Sequence, residues 1–249
     1  MFQASLDTPK TWKQIVDAIA TLLTEATFRV TSEGISLSQY DSARAARIDL
    51  FIPSDVFQDY RCEGNHTICI GVDELVKVSK RIAADDTLSF NLDTTLMRLE
   101  ITMRGLARRT FRLHLLTPPE TTESPLTESF DVRAEMSAGA LKQAVKDIGV
   151  VSDYMIISAG GGTIVFSGSG DSGEVESELK VGDDSLLYSL QAVPSTSMYA
   201  LSYLSEITKA IGSERLVLMM NSGRPAMFQF DIAERGRIKF YLAPRKQRT

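Results

Sequence analysis

The chain says nearly the same thing twice, and no other feature restricts its fold as much. Trp12-Lys13-Gln14-Ile15-Val16 resembles Leu141-Lys142-Gln143-Ala144-Val145, 129 positions later. Asp41-Ser42 returns as Asp171-Ser172 after 130 positions. The stretch from Asp73 to Leu92 resembles Leu201 to Met220 at an offset of 128, and Phe111 to Leu115 resembles Ile238 to Leu242 at 127. Each match is weak alone. Four of them, in order and at nearly constant offset, indicate a tandem duplication, so one small fold must be built twice. Between the copies lies TPPETTESPLTES, residues 117–129, with three prolines and Leu126 as its only large apolar residue. That composition reads as an extended linker. The predicted organisation is a domain over 1–117, a connector over 118–129 and a second domain over 130–249.

Periodicity assigns the elements inside each copy as helix, strands, helix, strands. The first helix is expected from Pro9, with Thr8 at the N-cap and Trp12, Ile15, Val16, Ile19 and Leu23 as its apolar stripe. The second covers DELVKVSKRI, residues 73–82, with Leu75, Val78 and Ile82 on one side and Lys77, Lys80 and Arg81 on the other. The third starts after Ser137 and buries Leu141, Ala144, Val145 and Ile148. The fourth carries Leu201, Leu204 and Ile211 and stops at Gly212. Strict alternation marks strands at Leu88, Phe90, Leu92; at Leu99, Ile101, Met103; at Phe111, Leu113, Leu115; and at Phe228, Phe230, Ile232. The fold class is α+β, two similar domains in tandem with mostly antiparallel sheets.

Composition limits what such a chain does. Its 249 residues carry 27 basic and 32 acidic side chains, a net charge of −5. A nucleic-acid coat protein is ordinarily basic, so DNA contact here requires charge gathered on one surface. No apolar run approaches the roughly 18 residues of a membrane span. The first residues lack the basic start and apolar stretch of a secretory signal. Cys62 and Cys69 make no disulfide framework. A soluble intracellular protein without a membrane partner is expected.

Three motifs invite other readings. Gly168-Ser-Gly170-Asp-Ser-Gly173 satisfies the dinucleotide pattern, but a strand-like segment with alternating glutamates follows, where pyrophosphate binding needs a helix N-terminus. The alternative is a strand connection. Cys62, His66 and Cys69 lie close in sequence, yet the spacing lacks the second ligand pair of zinc sites; a turn around Gly64-Asn65 is the plainer reading. Asn65-His66-Thr67 is a glycosylation sequon, expected to be silent without a secretory signal. With two histidines, His66 and His114, and no convincing carboxylate pair or nucleophile, catalysis is not expected. No cofactor and no metal are predicted.

The charge pattern carries more. Every predicted helix places lysine opposite its apolar stripe: Lys10 and Lys13, then Lys77 and Lys80 with Arg81, then Lys142 and Lys146, then Lys209. For one helix, dipole complementarity is explanation enough. For four equivalent helices in an acidic chain, a phosphate-facing layer is the better reading. Such side chains touch phosphates and read no sequence. Arg108, Arg109 and Arg112 mark one strand as basic, and Glu174, Glu176 and Glu178 mark another as acidic. This pair suits head-to-tail strand addition between subunits, which makes a ring if the rotation closes. Charge protection of two sheet edges explains the same residues without an assembly.

At Gly34-Ile-Ser-Leu-Ser-Gln-Tyr-Asp-Ser42, Asp59-Tyr-Arg-Cys-Glu63, Gly71-Val72 and Tyr241-Leu-Ala-Pro244, the chain resembles the DNA sliding clamps of archaeal and eukaryotic type, the proliferating cell nuclear antigen family. The short tail from Arg245 to Thr249 looks archaeal. The resemblance implies a non-enzymatic ring of three subunits, with helices lining the hole and sheets outside. Such rings encircle duplex DNA in replication and repair, are placed there by an ATP-driven loader, and tether polymerases, nucleases and ligases through short peptides. Location follows the DNA, with the nucleoid in a cytoplasm or in a nucleus if the source is eukaryotic. The implied peptide pocket comprises Tyr40, Leu126, Pro225, Tyr241, Leu242, Ala243 and Pro244, with Leu126 covering an apolar anchor. Arg44 and Arg47 fall near it, and the family often has an apolar residue at the latter. One subunit of a heterotrimeric clamp, or an interaction scaffold that never encircles DNA, are the alternatives.

Overall fold

The computed structural model describes residues 1–119, 129–182 and 186–245. Two compact units emerge, the first from residues 1–42, 48–125 and 231–238, the second from 43–47, 126–230 and 239–249. Each is a helix pair packed on antiparallel strands. Leu126 and most of the predicted connector lie outside the described residues.

The first unit begins with β1 (Phe2–Leu6) and α1 (Pro9–Ala20), then β2 (Glu25–Thr31), β3 (Gly34–Tyr40), β4 (Ala46–Pro53), β5 (Asp59–Cys62) and β6 (His66–Gly71). After these come α2 (Val72–Ser79), β7 (Thr87–Asp93), β8 (Arg98–Arg104) and β9 (Arg108–His114). One sheet has the order β5-β1-β7-β8-β9. Separately, β2 pairs with β3 and β6. The second unit holds β10 (Val132–Ser137), α3 (Ala138–Ile148), β11 (Tyr154–Gly160), β12 (Thr163–Gly170) and β13 (Gly173–Lys180). The chain continues with β14 (Leu187–Ala192), β15 (Ser195–Ala200), α4 (Leu201–Ala210), β16 (Arg215–Met220), β17 (Ala226–Ile232) and β18 (Gly236–Leu242), of which residues 231–238 count with the first unit. Here β10 pairs with β14 and β16 as β1 pairs with β5 and β7. Likewise β11 pairs with β12 and β15 as β2 pairs with β3 and β6. The duplication read from sequence is thus a duplication of strand pairing.

The helices form where the stripes place them. Thr8 is extended at the N-cap of α1 and Pro9 supplies a preset φ at the first position, although the Thr8 hydroxyl makes no capping bond. Trp12, Ile15, Val16 and Ile19 are buried, and Trp12 meets Phe90 of β7 with ring centroids 4.7 Å apart. Leu141, Ala144, Val145 and Ile148 do the same for α3. Two boundaries differ from the sequence reading. The second helix spans Val72–Ser79, and Lys80 to Ile82 form a tight turn in which Arg81 N–H reaches the Val78 carbonyl and Ile82 N–H that of Ser79. The fourth ends at Ala210 because Ile211 is extended, so the helix stops before Gly212 is reached.

In β7, β8 and β17 the alternating residues are buried as expected, whereas Phe111 and Leu113 of the edge strand β9 are half-buried. The glycine motif is a hairpin. β12 and β13 pair from Thr163–Lys180 down to Gly170–Gly173, so the third glycine turns the chain into a strand and no helix follows. The first two glycines permit close approach. A Cβ on Gly168 would stand 2.4 Å from Ile148 Cγ2, and one on Gly170 would stand 2.1 Å from the Val151 carbonyl oxygen. Gly170→Ala must therefore push backbone against backbone. It is expected to lower stability by about 1–3 kcal/mol in chemical denaturation, while Gly162→Ala, where no atom lies near, leaves packing intact and acts only through its positive φ.

Candidate nucleic-acid interface

The cations of the four helices do not behave alike. Lys10, Lys77, Lys80, Arg81, Lys146 and Lys209 are exposed. Lys209 is shared with Glu206, one turn earlier, at 2.6 Å. Lys13 and Lys142 are half-buried and already employed. Lys13 Nζ donates to the Ile82 carbonyl at 2.7 Å, and Lys142 Nζ donates to the Ile211 carbonyl, also at 2.7 Å. In each unit the first helix thus closes the C-terminal end of the second, where orphan carbonyls and the negative end of the helix dipole attract a cation.

Beneath the α2 turn lies a buried carboxylate that the sequence reading missed. Asp86 is 1 % exposed. Its Oδ2 accepts from the Ala83 N–H at 2.7 Å and from the Arg109 guanidinium, while Oδ1 is buried without a hydrogen bond. Arg109 also donates to the Arg81 carbonyl at 2.9 Å. The Ala83 N–H, more than any other group, holds the Asp86 carboxyl below the ordinary carboxylate range; burial opposes this, and Arg109 adds to it. No local pattern announces Asp86. The lysine contacts did leave a signal, since Lys13 and Ile82 recur as Lys142 and Ile211 at a common offset of 129.

The edge residues divide in the same way. β9 ends the five-stranded sheet and β13 ends the sheet ordered β13-β12-β11-β15. Glu174, Glu176 and Glu178 are all exposed along β13. On β9, Arg108 is exposed, Arg109 turns inward to Asp86, and Arg112 bonds Glu100 of the adjacent strand at 2.8 Å. That hydrogen bond from Arg112 is the chief reason the Glu100 carboxyl is also held below its usual range.

Among residues assigned to the peptide pocket, Tyr40 ends β3 in the first unit and is half-buried. In the second unit Tyr241 and Leu242 are core residues, 7 % and 1 % exposed. Ala243 is exposed, Pro225 and Pro244 are half-buried, and the Ala243 N–H bonds the Ala45 carbonyl at 2.8 Å. Arg44 is exposed in a left-handed turn with φ 54°. Arg47, expected near the pocket, is 2 % exposed, with partners inside the fold. Leu126 is outside the described residues.

Cys62, His66 and Cys69 have separate partners. Cys62 Sγ faces the Gly64 carbonyl at 3.2 Å, His66 Nε2 lies 2.9 Å from the Glu63 carbonyl, and Cys69 Sγ accepts from Thr27 at 3.4 Å.

Comparison with known proteins gives this arrangement a context. The family model described as proliferating cell nuclear antigen, N-terminal domain, matches residues 1–110, and the corresponding C-terminal domain model matches 126–245. A DNA polymerase sliding clamp of Pyrococcus horikoshii is 34% identical over 245 residues, covering 98% of each chain. One of Cenarchaeum symbiosum is 33% identical over 236 residues, covering 94% of each. A crystal structure of PCNA from Thermococcus kodakaraensis superposes with a TM-score of 0.92 at 25% identity, over 98% of this chain and 100% of that one.

Asp86 gives the molecule a signed pH dependence. A carboxyl whose folded pKa is lowered stabilises the fold above its unfolded pKa, about 3.9, and that contribution disappears as pH falls through the lower folded value. Asp86→Asn is expected to cost about 1–3 kcal/mol near neutrality. It should also flatten the fall in Tm below about pH 4. Parallel Tm curves for the two proteins from pH 7 to pH 3 would contradict the assignment.

Proposed function

The chain belongs to the proliferating cell nuclear antigen family, and from that premise we propose that it is a DNA polymerase sliding clamp, a processivity factor that encircles duplex DNA and holds a polymerase to it. The role is binding and tethering, with no bond made or broken. The observation that carries it is the exposure of at least one cation on or beside each of the four helices, in a chain of net charge −5. Lys10, Lys77, Lys80, Arg81, Lys146 and Lys209 form the DNA-facing set. Lys13 and Lys142 support it from within.

The chemistry suits sliding. Each ammonium or guanidinium meets a phosphate whose position repeats along the duplex, so the contacts fix no register. Each is weakened by salt through counterion release, with an affinity slope of about −0.9 per phosphate neutralised. Few aromatic side chains accompany these cations, so base stacking does not hold the protein in place. The acidic remainder of the surface disfavours DNA elsewhere.

Three copies close the ring in this reading. β9 and β13 are both edge strands, one carrying exposed Arg108 and the other three exposed glutamates, and strand addition between copies satisfies both. Partner proteins such as nucleases and ligases engage the second unit near Pro225, Ala243 and Pro244, where the end of the last strand is held by the Ala45 carbonyl. The protein acts wherever the chromosome lies; among the described residues no helix is long and apolar enough to cross a membrane.

Lys77→Ala, Lys80→Ala and Lys209→Ala combined are expected to lower the salt slope of retention on closed circular DNA by about 2–3. Circular dichroism and particle mass should not change. Release of the unsubstituted protein on cutting the circle is the companion result, and equal retention on linear and circular DNA would remove the encircling role. Light scattering of the purified chain should give a particle three times its 27.4 kDa mass. A monomer would mean that other chains complete the ring.

A further inference from the structure

We propose that Asp86 and Arg109 are positioning residues that set the basic turn Lys80–Arg81 from the edge strand β9. This rests on the clamp reading of that turn, and it assigns Arg109 a task different from an ion pair between subunits. One guanidinium makes two bonds that run in different directions. One goes to the Arg81 carbonyl, the other to the carboxylate of Asp86. Asp86 in turn fixes the backbone of the same turn through the Ala83 N–H. On the opposite side Lys13 holds the Ile82 carbonyl. The backbone from 81 to 83 is therefore gripped at three successive residues, by α1, by the following loop and by the sheet edge.

The grip leaves little freedom. Asp86 is 1 % exposed and cannot exchange its partners for water. A Cβ on Gly105, in the β8–β9 hairpin, would stand 2.4 Å from Asp86 Oδ1, so the hairpin backbone closes over the carboxylate. A shift of β9 must move Arg109, and with it the carbonyl of Arg81. The side chain of Arg81 and the adjacent Lys80 point to solvent from that backbone. Among the described residues, one of the two copies has this link. Arg109 lies two residues before the segment that repeats at an offset of 127, and the same offset carried back along the strand pairs it with Gly236 at the start of β18. Among the described residues the lysine grip occurs in both copies, and the guanidinium–carboxylate grip is found beside β9.

In functional terms the disposition of the subunit edge and that of two DNA-facing cations are one variable. Incorporating β9 into a neighbouring sheet orders the cations, and a loosened edge disorders them.

The decisive test uses the sign of the charge change. Asp86→Ala removes an acid, so simple electrostatics predicts equal or stronger DNA retention. Positioning predicts the reverse, with the salt slope falling by about 1–2, the share of Lys80 and Arg81. Asp85→Ala, an exposed neighbour with the same charge change, is the control and should retain DNA as the unsubstituted protein does. Arg109→Met should reproduce the loss, and adding Arg81→Ala to it should change the slope no further. Circular dichroism and particle mass establish that each variant is folded; if Asp86→Ala is not, Asp86→Asn takes its place. Retention by Asp86→Ala equal to that of Asp85→Ala, or additive losses from Arg109→Met and Arg81→Ala, overturns the proposal. If the unsubstituted protein itself is not held on circles, the clamp reading fails, and hydrogen exchange decides the positioning claim by itself. Faster exchange in both residues 81–86 and β9 of Asp86→Ala than in Asp85→Ala supports it; exchange unchanged in β9 overturns it.

Discussion

A lysine ammonium held at the C-terminal end of a short helix is the contact on which each helix layer depends. α2 has 8 residues and α4 has 10. Isolated helices below about 12–15 residues are marginal in water, so both need support from outside. Apolar packing on α1 and α3 supplies part of it, but packing offers no donor to the carbonyls of Ile82 and Ile211, just past the two helix ends. Lys13 and Lys142 provide those donors at half-buried positions where water serves poorly. Both partners of the bond shift by 129 between copies, so the duplication preserved an interaction as well as a shape.

That constraint explains why the polar faces of the helices are not uniform. On a helical wheel Lys13 and Lys77 are equivalent, each opposite an apolar stripe. What separates them is the atom at the far end of the side chain, and for Lys13 that atom belongs to a residue 69 positions away. Arg108, Arg109 and Arg112 present the same difficulty on a strand, because Asp86 and Glu100 capture two of the three. Periodicity is local, so it made the stripes, the alternation, the hairpins and the duplicated order legible. The direction of a long cationic side chain is a tertiary property and was not. The end of α2 was hidden for a related reason: the tight turn from Lys80 to Ile82 keeps Ile82 on the apolar side and so preserves the stripe that a longer helix would show.

One motif-level reading was decided by backbone space. Gly168 and Gly170 matched a phosphate-binding spacing, but their neighbours are a side chain of α3 and a carbonyl just beyond it, and the third glycine opens a hairpin. Absence of a side chain served packing at those positions. Arg47 shows the opposite case, a charge the sequence places near a surface and the fold buries. A buried guanidinium stays charged and demands partners, so that position is fixed by interior chemistry, and in the second unit Arg44, Ala243 and the half-buried prolines are the accessible residues of the assignment.

The differences between the two copies are as informative as their likeness. A duplicated fold begins with identical contacts, and those serving the fold alone are kept in both. The lysine grip follows that rule. The Asp86–Arg109 link does not, and the second copy could not regain it by a single substitution. A Cβ on Gly236 would lie 2.5 Å from Ile52 Cδ1 and 2.7 Å from the Ile232 carbonyl oxygen, so the site of the missing guanidinium is closed to any side chain. The two copies therefore use equivalent strands under different steric rules. At β9 there is room for a cation that reaches beneath the neighbouring helix turn; at β18 the backbone itself fills that room. Divergence at such a place, with the helix pair and strand order preserved around it, locates the demand on the strand and its environment, and places it outside the requirements of the common fold.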